Sequence, residues 1–335
     1  MATGTKANFK VYNEFIHSGL VETLTQNSNA FNAASRGAIR LASVNRRGDY
    51  VYESFFKNTA DLVSRRITSG TGSTSTVDDL ALQQDEHISV KVNRKIGPVA
   101  NTLDSFKKIQ TGPFNENALN FAIGQQAAKA MQVDQVNTVI RAGRAALGNQ
   151  SDALFTVPSS GTLKTSSLVS GLSKRGDASD SVILWVMHSK AYFDLVQYQI
   201  TPTNNGDLIA NAAVVDGSPT TLGRPVLIID SPALAIASGS PLVTDYYTLG
   251  LTANAFTVED SEETTIVSEF VTGSENLLVR YQGEFAYNVS LRGFKWDVQN
   301  GGGDNPTDTN IGTGSNWDPA MASVKDWGGV VIKSR

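Results

Sequence analysis

Phe114-Asn-Glu-Asn-Ala-Leu-Asn-Phe-Ala-Ile-Gly-Gln-Gln-Ala-Ala-Lys-Ala-Met-Gln-Val-Asp-Gln-Val-Asn-Thr-Val-Ile-Arg-Ala-Gly-Arg-Ala-Ala-Leu147 runs for more than thirty residues without a proline. It follows Gly112-Pro113, offers Asn115 as an N-cap with Glu116 in the first turn, and stops at Gly148, where a left-handed cap is expected. Leu119, Ile123, Ala127, Ala130, Val133, Val136, Ile140 and Leu147 recur mostly three or four apart, the helical period. At 1.5 Å per residue such a helix is roughly 50 Å long, against a mean of about twelve residues in globular proteins. A helix of that length is expected to lie along a surface that other subunits cover. Gly124 and Gly143 each cost about 1 kcal/mol relative to alanine, so they are expected to permit bending or close contact, and alanine at both is expected to stabilise the subunit.

Working outward, 335 residues suffice for two domains with a sizeable core. A hydrophobic content of 40% with 18% charge is globular, and a net charge of −4 argues against a dedicated nucleic-acid binder. The absence of cysteine removes disulfides, thiolate metal sites and cysteine nucleophiles, and fits folding in a reducing compartment. The longest apolar run, Val182-Ile-Leu-Trp-Val-Met187, is far short of the ~18 residues of a membrane span, and Met1-Ala-Thr-Gly-Thr-Lys6 is not an apolar signal segment. A soluble chain without membrane partners is expected. Residues 1–115 carry a net +4 and the remainder a net −8. That asymmetry suggests head-to-tail contact between copies, with chance variation as the alternative.

Tyr12, Phe15, Ile16, Leu20 and Leu24 share one helical face, suited to docking on the body or on a neighbour. Residues 26–45 read as an extended arm or short helix. Tyr50 to Phe56 and the alternating Ile88-Ser-Val-Lys-Val-Asn93 form a hairpin candidate around the polar Ser69 to Thr76. An isolated two-stranded excursion is marginal in water, so it needs a surface, which another subunit can provide. Beyond the helix, strand signals at Val182–Met187, Pro225–Ile229 and Asp245–Leu251, and a helix at Ser189–Tyr198, indicate a mixed α/β region. Thr264–Val271 and Asn276–Val289 read as two long strands against the helix. Gly301–Ser315 reads as a loop and Gly329–Lys333 as a terminal strand.

Catalysis finds little footing. His17, His87 and His188 lie far apart, and the His188-Ser189 pair stands without a Gly-x-Ser-x-Gly elbow, so a capping histidine explains it better than a hydrolase does. Gly70-Thr-Gly72 lacks the third glycine, the lysine and the following helix of a phosphate cradle. Asp304 to Asn310 has calcium-loop residues at the wrong spacing, with Pro306 intruding. Arg47-Gly-Asp49 and Arg175-Gly-Asp177 are ordinary turn triplets. Glu259-Asp260-Ser-Glu262-Glu263 reads as a solvated acidic turn, or as a landing site for basic residues of the hairpin: Arg65, Arg66, Arg94 or Lys95. No catalytic, cofactor-binding or metal-binding residue is expected, and no enzyme activity.

In this order, Val182-Ile-Leu-Trp-Val-Met-His-Ser-Lys-Ala-Tyr-Phe-Asp-Leu-Val196, Thr221-Leu-Gly-Arg-Pro-Val-Leu-Ile-Ile-Asp-Ser-Pro232, Asp245-Tyr-Tyr-Thr-Leu-Gly-Leu251, Tyr281-Gln-Gly-Glu-Phe-Ala-Tyr287 and Arg292-Gly-Phe-Lys-Trp296 resemble the major capsid proteins of tailed bacteriophages, which have the Hong Kong 97-type α+β fold. The resemblance spans nearly the whole chain. It implies an N-terminal arm (1–45), an E-loop (46–100), a peripheral domain built on the long spine helix (101–149 and 259–290) and an axial α/β domain (150–258 and 291–335). It also implies an icosahedral shell of hexamers and pentamers around double-stranded DNA, assembled in the bacterial cytoplasm. The partners it implies are a separate scaffolding protein, a portal and a decorating cement protein. An encapsulin-like nanocompartment shares the fold and is the alternative. Expected inter-subunit contacts are Tyr12, Phe15 and Leu20 in the arm, Arg65, Arg66, Arg94 and Lys95 on the E-loop, and Glu259, Asp260, Glu262 and Glu263 opposite them. Lys57, Lys91 and Lys95 are available for crosslinking, but no motif selects one and no crosslink is expected.

Overall fold

The computed structural model describes residues 24–42, 44, 48–57, 62–70, 72, 76–77, 79–102, 104, 116–200, 214–215, 218–238, 242–273, 275–301 and 303–335. Tyr12, Phe15 and Leu20 lie outside these, as does the expected N-cap Asn115.

Residues 24–34 form helix α1. Strands β1 (Ile39–Ala42), β2 (Tyr50–Phe56) and β3 (Gln84–Thr102) follow, then the spine helix α2 (Glu116–Gly148). The middle of the chain contributes β4 (Leu154–Thr156), α3 (Thr165–Ser173), β5 (Val182–Met187), α4 (Ser189–Ile200), β6 (Val214–Val215), β7 (Ser218–Thr221), β8 (Arg224–Ile228), β9 (Ala235–Ser238) and β10 (Val243–Thr252). The long strands β11 (Phe256–Val271) and β12 (Leu278–Leu291) come next, and β13 (Phe294–Trp296), α5 (Asp308–Ile311), β14 (Trp317–Pro319) and β15 (Gly329–Ser334) close the chain.

The architecture is α+β. One sheet has the order β1-β11-β12-β3-β2; a second runs β4-β15-β10-β5-β8-β7-β6 with β9 also on β10; β13 and β14 make a two-stranded ribbon. The spine helix touches β11, β12 and β15, so it serves both large sheets. Its Met131, Val139, Ile140, Ala142, Ala146 and Leu147 join one apolar core with Val90, Val92, Phe285, Tyr287 and Val289 of the first sheet and Leu184, Leu249 and Val331 of the second. Each fully buried Val, Leu or Ile there contributes about 1.5–3 kcal/mol. A separate cluster around Trp185, Met187, Leu168, Leu172 and Leu195 fills the other face of the second sheet.

Several expectations need correction. Gly148 stays helical and has no positive φ; the spine ends through Asn149, whose amide donates to Ala145 O at 3.1 Å. Gly143 does make a close contact, as expected, but an added Cβ would stand 2.0 Å from Phe256 Cζ, so the stabilisation expected from alanine does not hold there. The segment after α1 is built into the core, because β1 pairs in parallel with the start of β11 and Ala38 and Ile39 are 0% exposed. Asn32 fixes that strand, with its side chain accepting from Leu41 N and donating to Leu41 O, both at 2.8 Å. Arg175 of the second Arg-Gly-Asp triplet is almost fully buried. Its guanidinium donates to the carbonyls of Val324, Lys325 and Trp327, pinning the final turn before β15.

Candidate assembly surfaces

The expected hairpin exists and is longer than its sequence signal. β2 pairs antiparallel with β3 from Tyr50↔Val90 to Phe56↔Gln84, and β3 continues to Thr102 along β12. Lys57 and Lys295 clamp Asp85 at the outer end of this stalk, at 2.8 and 3.1 Å. Partial burial would raise the Asp85 carboxyl, but Lys57, the Glu86 amide and Lys295 hold it down at about 2.

Between the strands the described residues expose an unusual amount of apolar surface. Leu62, Val63, Ile67, Val77, Leu80 and Leu82 are all exposed, Val63 at 92%. They flank the polar tip, and sequence reasoning missed them because they follow neither a helical nor a strand period. The available signal was a scatter of large aliphatic residues on both sides of a Gly/Ser/Thr run. Arg65 and Arg66 sit among them, exposed.

Arg94 belongs elsewhere. Its Nε donates to Asp134 at 2.9 Å, and its Nη2 reaches Thr138 at 3.2 Å and pairs with Asp308, which also holds Arg141 at 2.8 Å. Tyr287 Oη completes the cluster, donating to Asp134 at 2.7 Å and lying 3.0 Å from Thr138. Burial works against the Arg94 charge, yet Tyr287, Asp308 and Asp134 outweigh it and raise the pKa. The group therefore joins the stalk strand to the spine helix and to the chain's return within one subunit, which corrects its expected outward role. Lys95 is exposed on β3 and sits opposite Glu284 in the register.

The acidic segment is not a turn. Glu259, Asp260 and Glu262 lie within β11, where the register shifts twice between Asp260 and Thr265. Glu262 pairs with Lys91 of the same sheet, and Ser261 is 0% exposed. Two bulges and pairing on both sides at Glu259 turn a run of turn-like residues into strand. Glu263 has a strand backbone; its side chain lies outside the described set. Further along, Thr265, Val267, Glu269, Arg280, Gln282 and Glu284 line a shallow groove of mixed charge, with Glu269 opposite Arg280 and Glu284 opposite Lys95 in the register.

His188 caps a strand-to-helix turn: its Nδ1 accepts from Lys190 N at 3.2 Å, and Asp230 accepts from Ser189 N at 3.0 Å. The Ser189 bond and the nearby His188 lower the Asp230 pKa. Asp308, the acidic centre of the calcium-like loop, is engaged by two arginines. Among the described residues no cluster of His, Asp and Glu is arranged to hold a metal ion, and no helix is long and apolar enough to cross a membrane.

A spine helix on a sheet that extends into a long hairpin, beside a second mixed sheet, is the Hong Kong 97-type architecture of phage capsid proteins. The capsid protein of cyanophage Pam1 is similar in fold with a TM-score of 0.53 at 11% identity, over 88% of each chain. That of Ralstonia phage GP4 gives 0.51 at 9%, over 90% of this chain and 88% of that one. A structure from Microbacterium phage Oxtober96 gives 0.51 at 10%, over 89% and 90%. Comparison with curated protein sequences finds no significant match. The chain belongs to the Gp13-like family, major capsid protein 13-like, whose model matches residues 8–331. It is a structural shell protein of the phage capsid, not an enzyme.

Proposed function

We propose that copies of this chain close into an icosahedral shell of hexamers and pentamers around double-stranded DNA. The observation that carries this reading is the apolar surface of Leu62, Val63, Ile67, Val77, Leu80 and Leu82, which a folded subunit leaves in water. Six such side chains, at about 1.5–3 kcal/mol each when fully covered, offer roughly 9–18 kcal/mol per copy before ordering costs. Exposed ion pairs add about 0–1 kcal/mol each. The aliphatic residues therefore supply the adhesion, and Arg65 and Arg66 refine its orientation against carboxylates of the next copy.

In this reading residues 1–45 are the arm and 46–100 the E-loop. Residues 101–149 with 259–290 form the peripheral domain, and 150–258 with 291–335 the axial domain. The family resemblance supports a separate scaffolding protein, a portal, a cement protein on the outside and assembly in the host cytoplasm. The length and style of the sequence support kinship with the shell protein of the short-tailed phage epsilon fifteen. The net charge of −4 suits weak, non-specific contact with DNA, since a strongly basic wall would grip it. Arg65→Glu with Arg66→Glu leaves the melting temperature unchanged and lowers particle yield several-fold. A normal yield from the double variant would remove the electrostatic part of the proposal.

A further inference from the structure

Helix α1 shares a small cleft with a carboxylate that has no salt-bridge partner among the described residues. Leu24 and Ser28 of α1, Leu41 and Ala42 of β1, Gln135 of the spine and Val258 close a small cleft around Asp260. None of these lining side chains is charged, and residues 24–34 of α1 contain no charged residue at all. One turn away, Gln132 Nε2 of the spine donates to Asn27 O at 3.0 Å, which fixes where α1 lies. Among the described residues, the charged and titratable groups of the surrounding elements are engaged elsewhere or face water, and Glu259, beside Asp260 on β11, has an interaction of its own. Tyr287, opposite Asp260 in the register, is held by Asp134 and Thr138. Asp134 in turn binds Arg94, Glu262 binds Lys91, and Arg40 of β1 is exposed. Next to Asp260, the buried Ser261 Oγ makes no hydrogen bond.

We infer that protonation of Asp260 controls the docking of α1 on the spine helix, and so sets where the residues preceding α1 leave the body. With α1 seated, burial alone pushes the Asp260 carboxyl up to about 6 from its ordinary 3.8. With α1 lifted, water returns and the ordinary value is restored. The docked state thus binds the proton more tightly. Docking is strongest below pH 4, weakens as pH rises between about 4 and 6, and is constant above that. The span between the two values corresponds to between roughly tenfold and a hundredfold in the docking equilibrium, the lower figure allowing for residual water contact. This device belongs to the single subunit and operates whether or not copies assemble.

Because the chain has no cysteine, a nitroxide on Asn29→Cys, an exposed position of α1, reports docking without competing labels. Its spectrum is expected to be immobilised at pH 4.5, to gain a mobile component as pH rises, and to stop changing above about pH 6.5. In Asp260→Asn the label stays immobilised throughout. Ser28→Lys, which brings an ammonium into the cleft, shifts the wild-type transition toward the ordinary carboxylate value. A wild-type spectrum that does not change with pH overturns the inference without recourse to any variant. So does a transition that survives in Asp260→Asn or stays in place in Ser28→Lys.

Discussion

Serine at Leu62, Val63, Leu80 and Leu82 together leaves the subunit folded and stops it from forming shells. All four side chains are exposed and none belongs to a buried cluster, so their removal takes nothing from the folded monomer. In an assembly each would be covered by another copy. Losing four aliphatic side chains costs about 6–12 kcal/mol per copy if coverage is complete. Interfaces of ordinary size hold by a surplus comparable to or smaller than that, once ordering and translational costs are met. The expected result is a monodisperse soluble subunit with unchanged circular dichroism and melting temperature, and no particles in a sedimentation gradient. Wild-type particle yield would mean that this loop is not an assembly surface.

Alanine at Gly143 lowers the stability of the subunit, the reverse of what helix propensity alone indicates. Propensity favours alanine by about 1 kcal/mol. Against that, the new Cβ would meet Phe256 Cζ at 2.0 Å and both Cε atoms within 2.6 Å, and overpacking of this kind costs typically 1–3 kcal/mol. The ring has little room to retreat. Phe256 is 1% exposed, pairs with Ile39 on one side and Leu291 on the other, and donates its amide to Ala38 O at 3.2 Å. The net effect is a destabilisation of up to about 2 kcal/mol, a fall of a few degrees in melting temperature. Phe256→Leu in the same chain restores most of the loss by vacating the ring's volume. A melting temperature that rises in the single variant would show that the helix is free to shift there.

The spine helix and strands β5, β8, β10 and β15 were legible because their signal is local: a long 3.6-residue period, or an apolar run bounded by turn residues. What escaped depends on distant partners. α3 is a Thr/Ser/Gly-rich nonamer with weak propensity, held by Leu168 and Leu172 in the second core and by Gly171 against Ile332. β1 is four residues long and exists because β11 pairs with it and Asn32 braces it. The acidic run of β11 has the composition of a turn, and its strand conformation comes from neighbours on both sides. Arg94 reads as one more surface cation until Asp134 and Asp308, 40 and 214 residues away, are seen beside it. The β2–β3 hairpin was legible from its strand formers, but the exposed aliphatic side chains between its strands, Leu62, Val63, Ile67, Val77, Leu80 and Leu82, carry no periodic signature.

The most direct test of the shell assignment is electron microscopy of the purified chain, alone and with the proposed scaffolding protein. Closed, uniform icosahedral particles with six-fold and five-fold clusters are the expected outcome. A folded chain that remains monomeric under both conditions would contradict the account.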